Sequence, residues 1–577
     1  MKFVKFSSSP LLSQPLPAWR MRLVMVLLLA GFVALIGRSL YLQGFQNDFL
    51  RQKGESRYER SIEISATRGR IVDRNGDVLA ISTPVKSIWA IPEDAKLTPH
   101  QARELAHLLE MDVRELNSKL ASDRDFVFVK RQVPPDLADK VVALGLPGIN
   151  EQREYRRFYP AGDVTAHMLG FTGAEDVGQE GVELALQKEL AGKPGSRRVI
   201  KDRHGQIVED VESIHAPVEG KDVVLALDSK VQYLAYTYLK QAIAENKAKA
   251  GGIVVLDAKS GEILALMNWP TYNPNNRVRL VGAQLRNRAF TDTFEPGSTM
   301  KPFTAALAID SGRFRFDTPI QTSPGKLTIG TATISDSHAH GLLTVAQVIQ
   351  KSSNIGISKI ALSLPSEDLW KMYDSLGFGN PLKLGFPGEV GGRLRPAKTW
   401  RPIEQATMSY GHGLSVTLIQ LAHAYMAFAR EGELVPLSLT RVDMPPTSGK
   451  QVYAAQTARE VRAMLEMVVL PGGTAPKAQI PGYRVAGKTG TAHKIEGGAY
   501  AEKYVASFVG FAPVSDPRLI VAVMIDEPSG GKYYGGDVAA PVFAQVMSGA
   551  LRTLGVAPDA PMTPLVTANA PFVKEEM

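Results

Sequence analysis

Three serine- and lysine-bearing signatures follow one another in the second half of this 577-residue chain: Ser298-Thr299-Met300-Lys301, Ser352-Ser353-Asn354 and Lys488-Thr489-Gly490. A hydroxyl becomes an effective nucleophile when a nearby base takes its proton, and residues three apart on a helix share a face. The set supplies a serine nucleophile, a lysine base, a second hydroxyl with an amide, and a cationic strand edge. That is equipment for attacking a peptide-like carbonyl and holding the acyl group on the enzyme.

Each signature alone is weak. Ser-x-x-Lys also occurs at Ser323–Lys326 and Ser529–Lys532, and Lys-Ser-Gly at Lys259–Gly261. Local context separates the copies. Ser323 and Ser529 are followed by Pro-Gly and Gly-Gly, which favour turns. Ser298 follows Glu295-Pro296-Gly297 and precedes Phe303–Ile309, a good helix former closed by Gly312. Pro302 falls in the first turn, where few N–H groups have partners. A serine at that helix start also gains positive potential where an oxyanion would develop.

Lys259-Ser260-Gly261 lies between two strand-like runs, Ile253–Asp257 and Glu262–Met267, and reads as a hairpin turn. Lys488-Thr489-Gly490-Thr491 instead continues Arg484-Val485-Ala486-Gly487 as a strand of small residues. Glycine there is expected to let a substrate backbone approach, so that a ligand adds itself as an extra strand.

The formal charge of +8 is concentrated at one end: residues 1–60 hold nine Lys/Arg and three Asp/Glu, leaving only +2 elsewhere. No basic stripe or aromatic platform accompanies it, which argues against a nucleic-acid partner. Leu23–Leu42, interrupted only by Arg38, is long enough to cross a bilayer. Lys2, Lys5, Arg20 and Arg22 precede it, so the positive-inside rule puts the N-terminus in the cytoplasm and the rest outside. No small-x-small cleavage site follows the apolar run, which favours an uncleaved anchor over a signal peptide. With no cysteine, disulfides and thiolate metal sites are excluded. His338 and His340 read as a solvated pair in a polar loop, and no metal site is expected.

The expected order is a cytoplasmic segment (1–22), a membrane anchor (23–42), a connector (43–60), a mixed α/β module (61–220), a catalytic domain (221–557) and a flexible tail (558–577). Thr98-Pro99 and Asp112 with Glu115 mark helix starts in the module. The catalytic domain opens with a strand at Val223–Leu227 and a helix capped at Asp228-Ser229. Its later strands are Arg484–Ala492, Val505–Ala512 and Leu519–Ile525, with a closing helix at Val538–Leu554. Strands at both ends with helices between them predict an α/β (α+β) domain with a central antiparallel sheet flanked by helices.

The ordered motifs resemble class B penicillin-binding proteins, most closely the division-specific transpeptidases of the penicillin-binding protein 3 type. The resemblance runs from the anchor to about residue 555. It includes Arg68–Gly76, Arg156–Gly162, Pro270–Asn276 and Phe294–Ser298 besides the three signatures. It implies a transpeptidase domain of the penicillin-binding/serine β-lactamase type on an N-terminal pedestal or dimerisation-type domain. It also implies a periplasmic catalytic domain at the inner membrane, active at the septum, without a cofactor.

By the same resemblance, Ser298 is acylated by a stem peptide ending in D-Ala-D-Ala or by a β-lactam, with Lys301 as general base. Ser352 relays the proton to or from the leaving amine, and Asn354 holds Lys301 and the substrate amide. Lys488 and Thr489 bind the terminal carboxylate, Gly490 belongs to the same substrate- and β-lactam-binding strand, the N–H groups of Ser298 and Thr491 form the oxyanion hole, and Tyr533 and Tyr534 wall the cleft. Implied partners are a polytopic glycan polymerase and division-site proteins at residues 1–220. Two positions depart from the pattern: His412 stands where an aromatic residue is expected, and Gln179 where an arginine is common. They leave open the principal division enzyme and a specialised paralogue. A β-lactamase and a non-enzymatic β-lactam sensor are the competing readings.

Overall fold

The computed structural model describes residues 18–46, 59–64, 66–124, 126–201 and 207–562. The segment before residue 18, most of the expected connector and the tail beyond 562 lie outside the described residues. Helix α1 (Ala18–Leu40) belongs to an apolar stretch of 27 residues, Ala18–Gly44. At 1.5 Å per residue that is about 40 Å, more than a hydrocarbon core of ~30 Å requires. None of α1 is buried against the rest of the chain, and it is compatible with a single-pass membrane anchor.

The N-terminal module is built on β1 (Val78–Ala90), which pairs antiparallel with β2 (Val127–Val133) and β3 (Ile149–Phe158). Helices α2 (Pro99–Leu108) and α3 (Val113–Leu120) cover them over a core that includes Ile88, Leu105, Leu109, Leu116 and Val129. Thr98 forms the expected capping box with Gln101, and Asp112 caps α3 through the Arg114 N–H. A separate antiparallel sheet joins Glu59–Ile64, Gly195–Lys201 and Ile207–His215.

The catalytic domain opens with α4 (Ser229–Glu245), capped by the Asp228 carboxylate as its sequence predicts. Hairpin strands β4 (Ala250–Asp257) and β5 (Ile263–Trp269) follow, turning at Lys259-Ser260-Gly261. Helices α5 (Lys301–Asp310), α6 (Val345–Lys351), α7 (Asn354–Leu362), α8 (Leu418–Ala424) and α9 (Ala455–Val469) precede β6 (Ala486–Glu496), β7 (Ala499–Ala512) and β8 (Leu519–Asp526). All sheet pairings are antiparallel, in the order β5–β4–β8–β7–β6. Helices cover both faces. A side chain at Gly251 would meet Leu239 and Ile243 of α4, whereas one at Gly252 would meet Leu418 of α8. Adjacent strand residues point to opposite faces, so β4 lies between two helical layers, which explains its unbroken apolar run.

The expected Val223–Leu227 strand is only Val223–Val224, pairing in parallel with Ile71–Val72. The chain then crosses domains, and the Ala226 N–H bonds the Leu439 carbonyl. The closing helix α10 (Ala540–Thr553) starts later than expected, because Pro541 lacks the N–H that would continue the turn Gly535–Val538. The expected tail is held at its start: Asp559 accepts from the N–H groups of Arg484 (2.7 Å) and Ser515 (3.1 Å).

Three motifs outside the catalytic signatures build the junction between domains. Arg68 and Arg157 both donate to the fully buried Glu183, at 2.6 and 2.7 Å. Asp73 accepts from the Ser229 N–H, and the Asn75 amide donates to Asp228, tying the Arg68–Gly76 segment to the start of α4. Asn275 brackets the Tyr159 backbone, accepting from its N–H and donating to its carbonyl.

Candidate active site

The Ser298 turn is shaped by its neighbours in sequence. Gly297 has φ +58°, which a side chain resists, and Gly297–Met300 forms a 3₁₀ turn leading into α5. The α-helix therefore starts at Lys301 rather than at Ser298. The reason is Pro302: it has no N–H for the Ser298 carbonyl, which instead accepts from Lys301 N–H one residue earlier. Side chains three apart eclipse on a 3₁₀ turn, so Ser298 and Lys301 keep a common side. Beneath, Phe303 packs on Phe378, Tyr425 and Phe428, and the Tyr425 hydroxyl donates to the Thr299 carbonyl at 2.8 Å.

Ser352 closes α6 in the left-handed conformation, φ 61° and ψ 36°. For a serine this costs of order 1–3 kcal/mol and persists only where surroundings enforce it. Here the Ser353 N–H closes the helix on the Val348 carbonyl at 3.0 Å, and Lys301 Nζ donates to the Ser352 carbonyl and, at 3.0 Å, to its hydroxyl. Lys488 Nζ donates to the same hydroxyl at 2.9 Å and to Thr489 Oγ1 at 3.2 Å. One hydroxyl oxygen thus lies between two amines, both with 0% exposure.

Lys488 is on β6, the edge strand of the sheet, so one side of its backbone faces the cleft. Thr489 shares a hydroxyl hydrogen bond of 3.0 Å with Thr474. Thr491 accepts the Gly535 N–H at 3.0 Å. A side chain at Gly490 would come within 2.6 Å of the Pro296 carbonyl, so this glycine admits the protein's own Ser298 turn. Tyr533 and Tyr534 are half-buried; Tyr533 stacks on Tyr504 at 4.2 Å and lies 4.6 Å from Tyr534.

The family profile described as the penicillin-binding protein transpeptidase domain matches residues 251–548, and that of the penicillin-binding protein dimerisation domain matches 63–225. The chain is 45% identical over 550 residues to the probable peptidoglycan D,D-transpeptidase PenA of Neisseria gonorrhoeae, covering 94% of each. It is 42% identical over 555 residues to the peptidoglycan D,D-transpeptidase FtsI of Escherichia coli, covering 94% of this chain and 93% of that one. The apo transpeptidase domain of Burkholderia pseudomallei penicillin-binding protein 3 superposes with a TM-score of 0.54 at 50% identity, covering 58% of this chain and 98% of that domain. The chain belongs to the penicillin-binding protein transpeptidase family.

Within that family fold, Lys301, Ser352 and Lys488 meet at one hydroxyl beside the Ser298 turn. Ser298, Lys301, Ser352, Asn354, Lys488, Thr489 and Thr491 are each 0–2% exposed. The rival copies lie elsewhere: the Ser529 hydroxyl donates to the Lys247 carbonyl, and Ser260 donates to Glu262 in its turn. His412 takes the position of a ring, edge-on to Tyr410 at 5.1 Å. Burial, then Lys301 and His493, pull its imidazole down to about 4, so it is neutral at neutral pH. The Gln179 amide donates to the nearby Val177 carbonyl.

Sequence reasoning missed Asp336. Its carboxylate accepts from the Ser353 hydroxyl and from the N–H groups of Asn354 (2.7 Å) and Ile355 (3.0 Å), clamping the start of α7 beside Ser352. It lies in a polar loop 17 residues from Ser353, with no periodicity to mark it. Replacing Asp336 with Ala leaves buried donors unmet, which costs about 1–3 kcal/mol for each such group. The expected result is a lower melting temperature with penicillin acylation slowed about 10–100-fold, by analogy with other groups that orient reactive side chains. Unchanged acylation in stopped-flow labelling would remove Asp336 as a positioning residue.

Proposed function

We propose that this protein is a membrane-anchored peptidoglycan D,D-transpeptidase that cross-links stem peptides through a Ser298 acyl-enzyme, and that β-lactams acylate the same serine. The observation that carries the reading is the Ser352 hydroxyl bridging the buried amines of Lys301 and Lys488 beside the Ser298 turn, in a chain of this family.

Neutral Lys301 takes the Ser298 proton as Oγ bonds to the penultimate D-Ala carbonyl carbon. The backbone N–H groups of Ser298 and Thr491 hold the oxyanion, each such donor typically contributing ~3–4 kcal/mol. The proton passes through Ser352 to the departing D-Ala amine as the peptide C–N bond breaks. Asn354 orients Lys301 and the substrate amide. Lys488, Thr489 and the Gly490 segment bind the terminal carboxylate, and Tyr533 and Tyr534 wall the cleft. An amine of a neighbouring stem peptide then attacks the ester and releases Ser298. Water must be kept from that second step, or the product is simple hydrolysis.

The proposed organisation is a cytoplasmic segment (1–22), an anchor (23–42), a connector (43–60), a pedestal (61–220), a catalytic domain (221–557) on the outer face of the cytoplasmic membrane, and a tail (558–577). The resemblance to division-specific transpeptidases suggests the septum, with a polytopic glycan polymerase and division-site proteins meeting residues 1–220.

Intact-mass mapping after benzylpenicillin treatment tests the reading. One penicilloyl adduct on the Ser298 peptide, persisting for minutes, is expected. Loss within seconds would favour a β-lactamase, and the absence of any adduct would end the acyl-enzyme reading.

A further inference from the structure

Beside the Ser298 turn stands a carboxylate that acyl transfer does not use. Glu295 lies three residues before Ser298. It accepts the Gly413 N–H at 2.8 Å and the Tyr500 hydroxyl at 3.1 Å. Tyr500 pairs with Ile495 near the tip of the β6–β7 hairpin. Its ring lies between the imidazoles of His412 and His493, with centroids 6.0 and 6.2 Å away. The Gly297 N–H donates to the Gly411 carbonyl at 3.3 Å, which places the segment bearing His412 and Gly413 beside the Ser298 turn.

Direction along the strand decides what this end can meet. On the proposed function, the donor's terminal carboxylate lies at Lys488 and Thr489 and its reacting carbonyl at Thr491. A peptide on the open edge of β6 in that register runs antiparallel to it. Each further residue upstream advances roughly 3.3 Å toward His493 and the hairpin tip. The residue before D-Ala-D-Ala therefore arrives where Glu295 and Tyr500 stand. On the proposed function the acceptor is an amine of a neighbouring stem peptide, and a donor stem of the same material carries that amine as well.

We infer that Glu295, held by Gly413 and Tyr500, binds the side-chain ammonium of the residue upstream of D-Ala-D-Ala in the acyl donor, an assignment that rests on the transpeptidase reading. The cleft is then dipolar, with lysine amines at the carboxylate end and a carboxylate at the ammonium end. Burial raises the Glu295 carboxyl above its usual range, opposed by its two hydrogen bonds, and an ammonium ligand would restore the favourable charge pairing.

The test compares acylation by two depsipeptide donors ending in D-Ala-D-lactate, one with a free side-chain amine and one N-acetylated, with no acceptor present. The full chain in detergent is used as wild type, Glu295→Gln and Tyr500→Phe. Wild type is expected to prefer the free amine about tenfold in kcat/KM, the scale of one charge-assisted contact. That ratio should fall to about one in Glu295→Gln and to an intermediate value in Tyr500→Phe. A ratio within one protein is insensitive to general loss of fold or activity. An unchanged ratio in Glu295→Gln, or a preference seen only in transfer to an added acceptor, would overturn the assignment. Absence of a penicillin adduct in the wild type would instead indict the transpeptidase reading itself.

Discussion

Ser298→Ala is expected to remain folded and to take no label from penicillin. The change removes one oxygen from a residue that is 2% exposed, on a turn held by Pro302, Gly297 and the Tyr425–Thr299 hydrogen bond. None of those restraints uses the serine hydroxyl. The stability change should stay within about 1 kcal/mol, the worth of a single hydrogen bond, with a melting shift of a few degrees at most. The chemical effect is of another order. Removing the nucleophile of an acyl-transfer triad costs about 10⁶-fold in kcat in a well-studied hydrolase. Intact-mass spectrometry should thus find no adduct after an hour at saturating drug. An adduct relocated to Ser352, the other buried hydroxyl beside both lysines, would reverse the proposed roles of nucleophile and relay. Label retained at a residue other than these two serines would place the nucleophile outside this cluster.

The elements legible in advance were those with strong local signals. Asp228 capped its helix and Thr98 formed its box because side-chain oxygens meet the N–H groups that a helix start leaves open. The strands of the central sheet were legible as apolar runs, since burial on both faces removes the alternation that would otherwise identify them. The Ser298 copy could be chosen because its rivals are surrounded by turn formers. Features set by long-range packing were illegible. The close packing at Gly490 is one, because it makes room for atoms of Pro296, almost two hundred residues earlier in the chain. Asp336 and Glu295 look like ordinary polar residues until folding brings them to Asn354 and Tyr500. The start of α5 was misplaced by one turn because the consequence of Pro302 falls on the carbonyl of Ser298, not on its own position.

Lys301→Ala is expected to slow acylation by about 10³-fold or more, within the range of 10²–10⁴ that a positioned general base contributes, with further loss if Ser352 shifts. Two effects are combined in that variant, and the geometry allows them to be separated. Lys301 supplies a hydrogen bond to the Ser352 carbonyl, which helps hold the serine in its left-handed conformation, and it supplies the amine proposed to accept the proton. Lys301→Met keeps most of the buried volume and removes both functions. Lys301→Arg keeps a hydrogen-bond donor but carries a group that stays protonated at any usable pH. If the amine acts as base, arginine and methionine variants should both be slow, by similar factors. Were the hydrogen bond to Ser352 its main contribution, arginine would restore much of the rate while methionine would not. Second-order rate constants for penicillin acylation across pH 5–9 give the decisive reading. In the wild type the rate should rise with pH as the base loses its proton, because only the neutral amine can accept one. That rise should be lost when Lys301 is replaced. A pH profile of unchanged shape in the methionine variant would assign the base elsewhere, with Lys488 the next amine in reach of the same hydroxyl.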